Sequence, residues 1–172
     1  MTLLANWTHP GSDIPGGGLK RERAATEEER AAIVEALGLL KLSGLKARYK
    51  IDRLAGGGYR LYGGIESDLA QACVVTLDAV PEHIEESFDT EFWPDVAPIA
   101  GEQDAGVLDG RDVERLEHGE IAAGRVIYET LSAALDPYPR RDGVEFDWHD
   151  KAASKPEKSS PFAALGKLKN KP

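Results

Sequence analysis

Residues whose types could support chemistry are few and scattered in this 172-residue chain. The single cysteine, Cys73, lies between Ala72 and Val74 in an apolar run. A reactive thiolate needs a basic neighbour or a helix N-terminus to lower its pKa, so we interpret Cys73 as a packed small hydrophobe. A zinc site needs about four nitrogen or sulfur ligands, and we predict neither a metal nor another cofactor here. The dispersed histidines are His9, His83, His118 and His149.

Two other segments could each be either a binding or catalytic site or an ordinary structural feature. The triple glycine at 56–58 could be a phosphate loop, but such loops join a strand to a helix. Because both flanks are predicted strands, we expect a hairpin turn. The acidic segment 145–150 surrounds His149 and could act as an acid–base pair of a hydrolase or hold a metal weakly. We favour a solvated acidic strip, because nothing beside it would exclude water.

Catalytic signatures of the common hydrolase classes do not occur in this sequence. It has no HExxH or GxSxG motif and no recognisable Ser-His-Asp arrangement. We therefore predict a protein that is not an enzyme and has no small-molecule substrate. A hydrolase that uses the acids of 145–150 remains the alternative.

Two helices are predicted from capping and periodicity. The first covers residues 26–40 and begins with a T-x-x-E capping box formed by Thr26 and Glu29. The second covers residues 120–135 and stops before Pro137, which cannot continue a helix. The apolar stripe of the second helix is Ile121, Ile127, Tyr128, Leu131 and Leu135.

Strands are indicated by alternating apolar and polar residues. Segments 45–54 and 59–65 are predicted to form a hairpin, with 69–77 and 82–93 as further strands. Segment 112–116 either pairs briefly or joins the following helix. Short links between successive strands favour antiparallel pairing. The solvated face of the first strand carries Lys46, Arg48, Lys50 and Asp52.

Together these elements predict an α+β fold, with an antiparallel sheet of about four to six strands, two main helices and a disordered C-terminal tail. Residues 1–24 are expected to hold a short strand at 3–7 and a loop. Residues 25–150 form the single domain, and 151–172 a flexible basic tail with a short hydrophobic motif. We find neither a signal peptide nor a membrane span and predict a cytoplasmic protein.

Charge divides the chain into an acidic body and a basic end. The net charge is −9, yet residues 151–172 contain six lysines and one glutamate, a net charge of +5. An acidic body argues against RNA contact through the sheet face. The basic tail is either a solvated end or a motif that docks on a phosphate-rich or protein partner. Its candidate contact residues are Lys151, Lys155, Lys158, Phe162, Leu165, Lys167, Leu168, Lys169 and Lys171.

Four segments in order resemble the YceD family, the bacterial large ribosomal RNA subunit accumulation proteins. They are GIESDLAQACVVTL at 64–77 running into DAV, the strand end FWP at 92–94, ALDPYPR at 134–140 and SPFAALGKLK at 160–169. The resemblance covers about residues 26–172. Many members have C-x-x-C where this chain has Cys73 and Thr76, so a metal or redox role for that pair is not expected here.

The resemblance implies a role in large-subunit ribosomal RNA accumulation and ribosome assembly. Implied partners are ribosomal RNA or a large-subunit precursor, and a ribosomal or RNA-processing protein. Because the Pro-Phe-Ala…Leu-Lys ending recurs in the family, it favours a docking segment over a frayed end. The alternative is an adaptor that holds a nuclease or a ribosomal protein without touching RNA.

Overall fold

The computed structural model describes residues 3–94 and 112–144. These residues contain seven β-strands and two α-helices, joined by turns and short 3₁₀-helices. The strands are β1 (His9–Pro10), β2 (Leu19–Ala24), β3 (Lys41–Arg53), β4 (Tyr59–Ala72), β5 (Ala79–Trp93), β6 (Asp112–Arg115) and β7 (Glu120–Ile121). The helices are α1 (Glu27–Leu37) and α2 (Ala123–Ala134). These elements belong to one compact unit, Met1–Asp142; a second unit, Gly143–Pro172, lies outside the described residues except for its first two.

The main sheet has five strands in the order β2-β3-β4-β5-β6. Strands β2 to β5 pair antiparallel, which confirms the antiparallel pairing predicted for the segments of β3, β4 and β5, whereas β2 was not predicted. Strand β6 instead lies parallel to β5, after the longer connection 94–111. Strands β1 and β7 form a separate two-stranded ladder. The predicted α+β class is thus confirmed in outline, with a mixed rather than fully antiparallel sheet.

Both predicted helices form, with shorter bounds. The Glu29 backbone N–H donates to Thr26 Oγ1 at 3.2 Å, and the Thr26 N–H donates to Glu29 Oε2 at 2.9 Å, which completes the predicted capping box. Gly38 takes a left-handed φ of 64° and ends α1 before residue 40. Helix α2 begins at Ala123, because the preceding residues pair with β1.

The N-terminal prediction is wrong in two places. Residues 3–7 do not form a strand; Ala5–Trp7 is a turn of 3₁₀-helix that buries Leu4 and Trp7, three residues apart, in the core. The expected loop up to residue 24 contains strand β2. This strand has no buried residue, because it is an edge strand, and so it lacks the alternation that would reveal it.

Strand β4 is longer than either of the two strands predicted in its place. The predicted strands 59–65 and 69–77 overlap one continuous strand, which runs through Gly63 and Gly64 and ends at Ala72. Residues 73–78 form a turn, in which the Leu77 N–H donates to Cys73 O at 2.9 Å and the Cys73 N–H donates to Asp78 O at 2.8 Å. The triple glycine is the predicted hairpin turn between β3 and β4, with φ near 90° at its first two residues.

One face of the sheet packs against the helices and forms the core. Helix α1 lies on β3, and α2 lies on β5 and β4. The largest fully buried side chains of this core are Phe92, Ile14, Ile33, Leu45, Ile51, Leu61, Ile121, Ile127 and Leu131. Neither of the two described helices has the length and apolar character needed to span a membrane.

Candidate functional site

The opposite face of strands β2 to β5, called the outer face below, carries polar side chains in rows across the sheet. Each row follows the ladder register, because directly opposed residues of neighbouring strands point to the same side. The rows are Lys20–Lys50–Tyr62–Asp89, Glu22–Arg48–Gly64–Ser87 and Ala24–Lys46–Glu66–Glu85.

Positive charge among the described residues is concentrated on two neighbouring strands, β2 and β3. Strands β2 and β3 contain eight basic and two acidic residues, a net charge of +6. The remaining described residues contain six basic and twenty acidic residues, a net charge of −14. β2 and β3 are therefore the basic part of an acidic body, which the net charge of the whole chain conceals. Their cations lie on both faces of the sheet, since Arg23 and Arg53 donate to Asn6 O and Ile14 O in the N-terminal segment.

Four cations of the outer face form what we call the basic face: Lys20, Lys46, Arg48 and Lys50. Arg48 Nε lies 3.2 Å from Glu22 Oε1, in a pair whose side chains are 66% and 62% exposed. Lys50 Nζ lies 2.7 Å from Asp52 Oδ1, which raises the pKa of Lys50 and lowers that of Asp52. Within residues 3–94 and 112–144, Lys20 and Lys46 form no ion pair.

Two shallow hollows lie on either side of Arg48. One, of about 640 Å³, is lined by residues of β2, β3 and β4, including Lys20, Tyr62 and Gly63. The other, of about 450 Å³, is lined on β3 to β5, including Lys46 and Gly64. Because Gly64 has no side chain, the outer face is lower beside Arg48 than at its rims; Gly63, the preceding residue of β4, lies in the core-facing row with Tyr49 and Phe88.

Tyr62 borders the first hollow. Its hydroxyl donates to Asp52 Oδ2 at 3.0 Å, and its ring centroid lies 5.9 Å from Lys50 Nζ and 5.0 Å from Arg60 Cζ. Arg60 in turn forms a two-pronged ion pair with Asp89, at 2.8 and 2.5 Å. These contacts hold the aromatic ring beside the cations of β3.

A second, acidic groove of about 480 Å³ lies between β5 and α2. Its carboxylates are Glu86, Asp89, Asp112, Glu114 and Glu129. Burial raises the pKa of Glu114, and the Arg125 guanidinium, which forms an ion pair with it, acts against that shift. In the described ranges, no three His, Cys, Asp or Glu side chains come together as a metal-binding group.

Cys73 is completely buried, as predicted, but it lies in the turn after β4 and not inside a strand. The Thr76 side chain, followed by the backbone N–H groups of Arg141, Thr76 and Val75, donates hydrogen bonds that lower the pKa of the thiol to about 6. Sequence neighbours alone did not indicate this set of donors. The Thr76 side chain is thus a hydrogen-bond partner of Cys73.

The predicted contact residues of the tail all lie outside the described residues, and so does the acidic segment 145–150. The basic face, by contrast, was not predicted as a site. Its signal was present in the alternation of Lys46, Arg48 and Lys50 and in the sequence KRER at 20–23. What was missing was the pairing of β2 with β3 that brings the two together.

Comparison with protein-family models, with curated proteins and with solved structures finds no match to this chain.

Proposed function

We propose that this protein is a non-enzymatic cytoplasmic factor that supports large-subunit ribosomal RNA accumulation and ribosome assembly by binding RNA or a ribosomal protein. The four ordered segments that resemble the YceD family support the biological role. The observation that carries the binding mode is the charge division, +6 on β2 and β3 against −14 on the other described residues.

A basic side on an acidic body suits a selective RNA-binding factor. Cations concentrated on one surface gain affinity for phosphates through counterion release. Acidic residues elsewhere repel RNA and keep the contact confined to that surface. The negative net charge of the whole chain therefore does not exclude RNA contact at β2 and β3.

The tail supplies a second proposed contact. Its lysines would add phosphate contacts, and Phe162, Leu165 and Leu168 would anchor it in an apolar groove of the partner. In the full-length chain, the six tail lysines are changed together to glutamine. We expect weaker binding to large-subunit precursors and a smaller salt dependence; unchanged affinity and slope would remove the tail from the interface.

The second candidate function is an adaptor that holds a basic ribosomal protein or a nuclease without touching RNA. The acidic groove between β5 and α2 favours it, because five carboxylates line one depression there. Purification of the intact protein from cells, with and without nuclease treatment, separates the two functions. An RNA-bridged partner is lost after nuclease treatment, whereas a direct protein partner is retained.

Depletion of the protein in its own cells tests the proposed role. We expect the ratio of large-subunit to small-subunit ribosomal RNA to fall and to recover when the full-length chain is restored. An unchanged ratio in depleted cells would contradict the proposed function, whichever partner the protein binds.

A further inference from the structure

We infer that the basic face is a binding site for the phosphate backbone of single-stranded RNA, with the strand running along β3. This inference rests on the proposed function for the identity of the RNA, but its physical basis is the outer face itself. Lys20, Lys46 and Arg48 are its principal phosphate contacts.

Like charges face each other within this surface at a cost to the fold. Lys20 lies directly opposite Lys50 in the β2–β3 ladder, and a like-charged pair at this position destabilises a sheet. Asp52 engages Lys50, which leaves Lys20 without an ion pair among the described residues. A bound polyanion would neutralise both ammonium groups, and unfavourable local arrangements of this kind are expected at functional sites.

The spacing of the cations fits a linear polyanion. Lys46, Arg48 and Lys50 occupy alternate positions of β3, so their side chains emerge roughly 6.6 Å apart on one side. Successive phosphates of an extended nucleic-acid strand are separated by a comparable distance. The backbone of one strand can therefore meet each cation in turn.

The shape of the surface favours a single strand. Both hollows beside Arg48 are shallow, and Gly64, which lies directly opposite Arg48 on the outer face, has no side chain to fill the one of about 450 Å³. Such a shallow surface can seat one extended RNA backbone but offers little to a duplex. The Tyr62 ring at its border provides an aromatic contact for a base, the usual complement to a cationic groove in single-strand binding.

The carboxylates of the outer face define the direction of the strand. Glu22 and Asp52, on β2 and β3, are already engaged by Arg48 and Lys50, so they compete only weakly with phosphate. Glu66 and Glu85 lie opposite each other on β4 and β5 and extend a repulsive border beyond Lys46. The favourable track thus follows β3 and does not cross the sheet.

Fluorescence anisotropy of a labelled uridine homopolymer with the full-length protein, across a salt series, tests the site. The variant is Lys20→Gln/Lys46→Gln/Arg48→Gln. The matched control, Arg115→Gln/Arg140→Gln/Arg141→Gln, changes three exposed cations outside β2, β3 and β4 and alters the net charge equally. We expect the variant to bind about tenfold more weakly. The slope of log K against log salt should also become shallower by about 2, because each phosphate contact of a single strand contributes about 0.7 to that slope and three contacts are removed.

Several results would overturn the inference: no binding of the probe by the intact protein, equal losses in the variant and the control, or tighter binding of a duplex of the same length. If the variant does not fold, photo-crosslinking of the probe to the intact protein decides, and crosslinks outside β2, β3 and β4 count against the site. If the RNA measurements reject the basic face but depletion still lowers the ratio of large-subunit to small-subunit ribosomal RNA, the proposed function stands. If depletion leaves that ratio unchanged, the proposed function is refuted, while the result of the RNA-binding measurement remains valid.

Discussion

Lys20 and Lys50 lie directly opposite each other in the β2–β3 ladder, with their ammonium groups on the outer face of the sheet. Lys50 is held by Asp52 and lies beside the Tyr62 ring, whereas Lys20 has no carboxylate partner within the described residues. A fold selected for stability alone would place an acid at one of these positions, since opposite charges stabilise a cross-strand pair.

The first prediction reverses the charge of Lys20. The Lys20→Glu variant should raise the free energy of unfolding by about 0.5 kcal/mol, because it converts a like-charged pair into an opposite one. The same variant should bind single-stranded RNA more weakly. Urea unfolding and RNA anisotropy measure the two effects, with Arg140→Glu as the exposed control. A variant that loses both stability and binding would contradict the prediction, since damage to the fold would then explain the loss.

The second prediction compares two neighbouring glycines of β4. A Cβ on Gly63 would lie 2.2 Å from Arg48 O and 2.7 Å from Tyr49 Cα, whereas a Cβ on Gly64 has Glu86 O as its nearest neighbour, at 3.1 Å. Gly63→Ala should therefore cost about 3 kcal/mol of unfolding free energy, and Gly64→Ala less than about 1. Urea midpoints of the two variants check the order; equal losses would show that β3 and β4 separate easily.

The third prediction concerns pH and His9, which is buried and lies with Nε2 2.8 Å from the Tyr49 hydroxyl. Burial first, and then Arg23 and Arg21, lowers the pKa of His9. Below pH 6.5 the imidazole of His9 binds a proton in the unfolded chain but stays neutral in the folded chain. The free energy of unfolding therefore decreases as the pH falls below 6.5.

Thermal unfolding of the wild type and His9→Gln between pH 7.5 and 5.5 measures this effect. The variant should lose less stability on acidification than the wild type does. His83→Gln is the control of opposite sign, because hydrogen bonds to Asp68 and then Glu85 raise the pKa of His83. An acid response that is the same in the wild type and His9→Gln would contradict a neutral buried His9.

The fourth prediction concerns the Cys73 thiol, whose pKa is lowered to about 6 from an ordinary 9.0. Hydrogen bonds stabilise the thiolate in the folded state but not in the unfolded state. The stability that the thiolate contributes is therefore fully present above pH 9.0 and is lost as the pH falls through 6. The stability of the wild type relative to Cys73→Ala should therefore increase from pH 6 to 9. Ultraviolet absorbance of the thiolate follows the same titration, and a thiolate that forms only near pH 9 would contradict it.

The sequence by itself determined the local elements. Capping residues and the 3.6-residue period located both helices, because Thr26, Glu29 and Pro137 act on backbone groups within a few positions. Alternation located β3 and β5, since each buries one side and exposes the other. The edge strand β2 escaped detection for the same reason, as it buries neither side.

Only the tertiary structure decided which charges become neighbours. Lys20 and Lys50 are thirty positions apart, and their meeting depends on the antiparallel register of β2 on β3, which no local pattern of Leu19–Ala24 specifies. Composition described an acidic body, because it averages over the surface. Register brings the cations of β2 and β3 side by side, away from the five acids of β5, since strand pairing and not chain order sets the distance between side chains in a sheet.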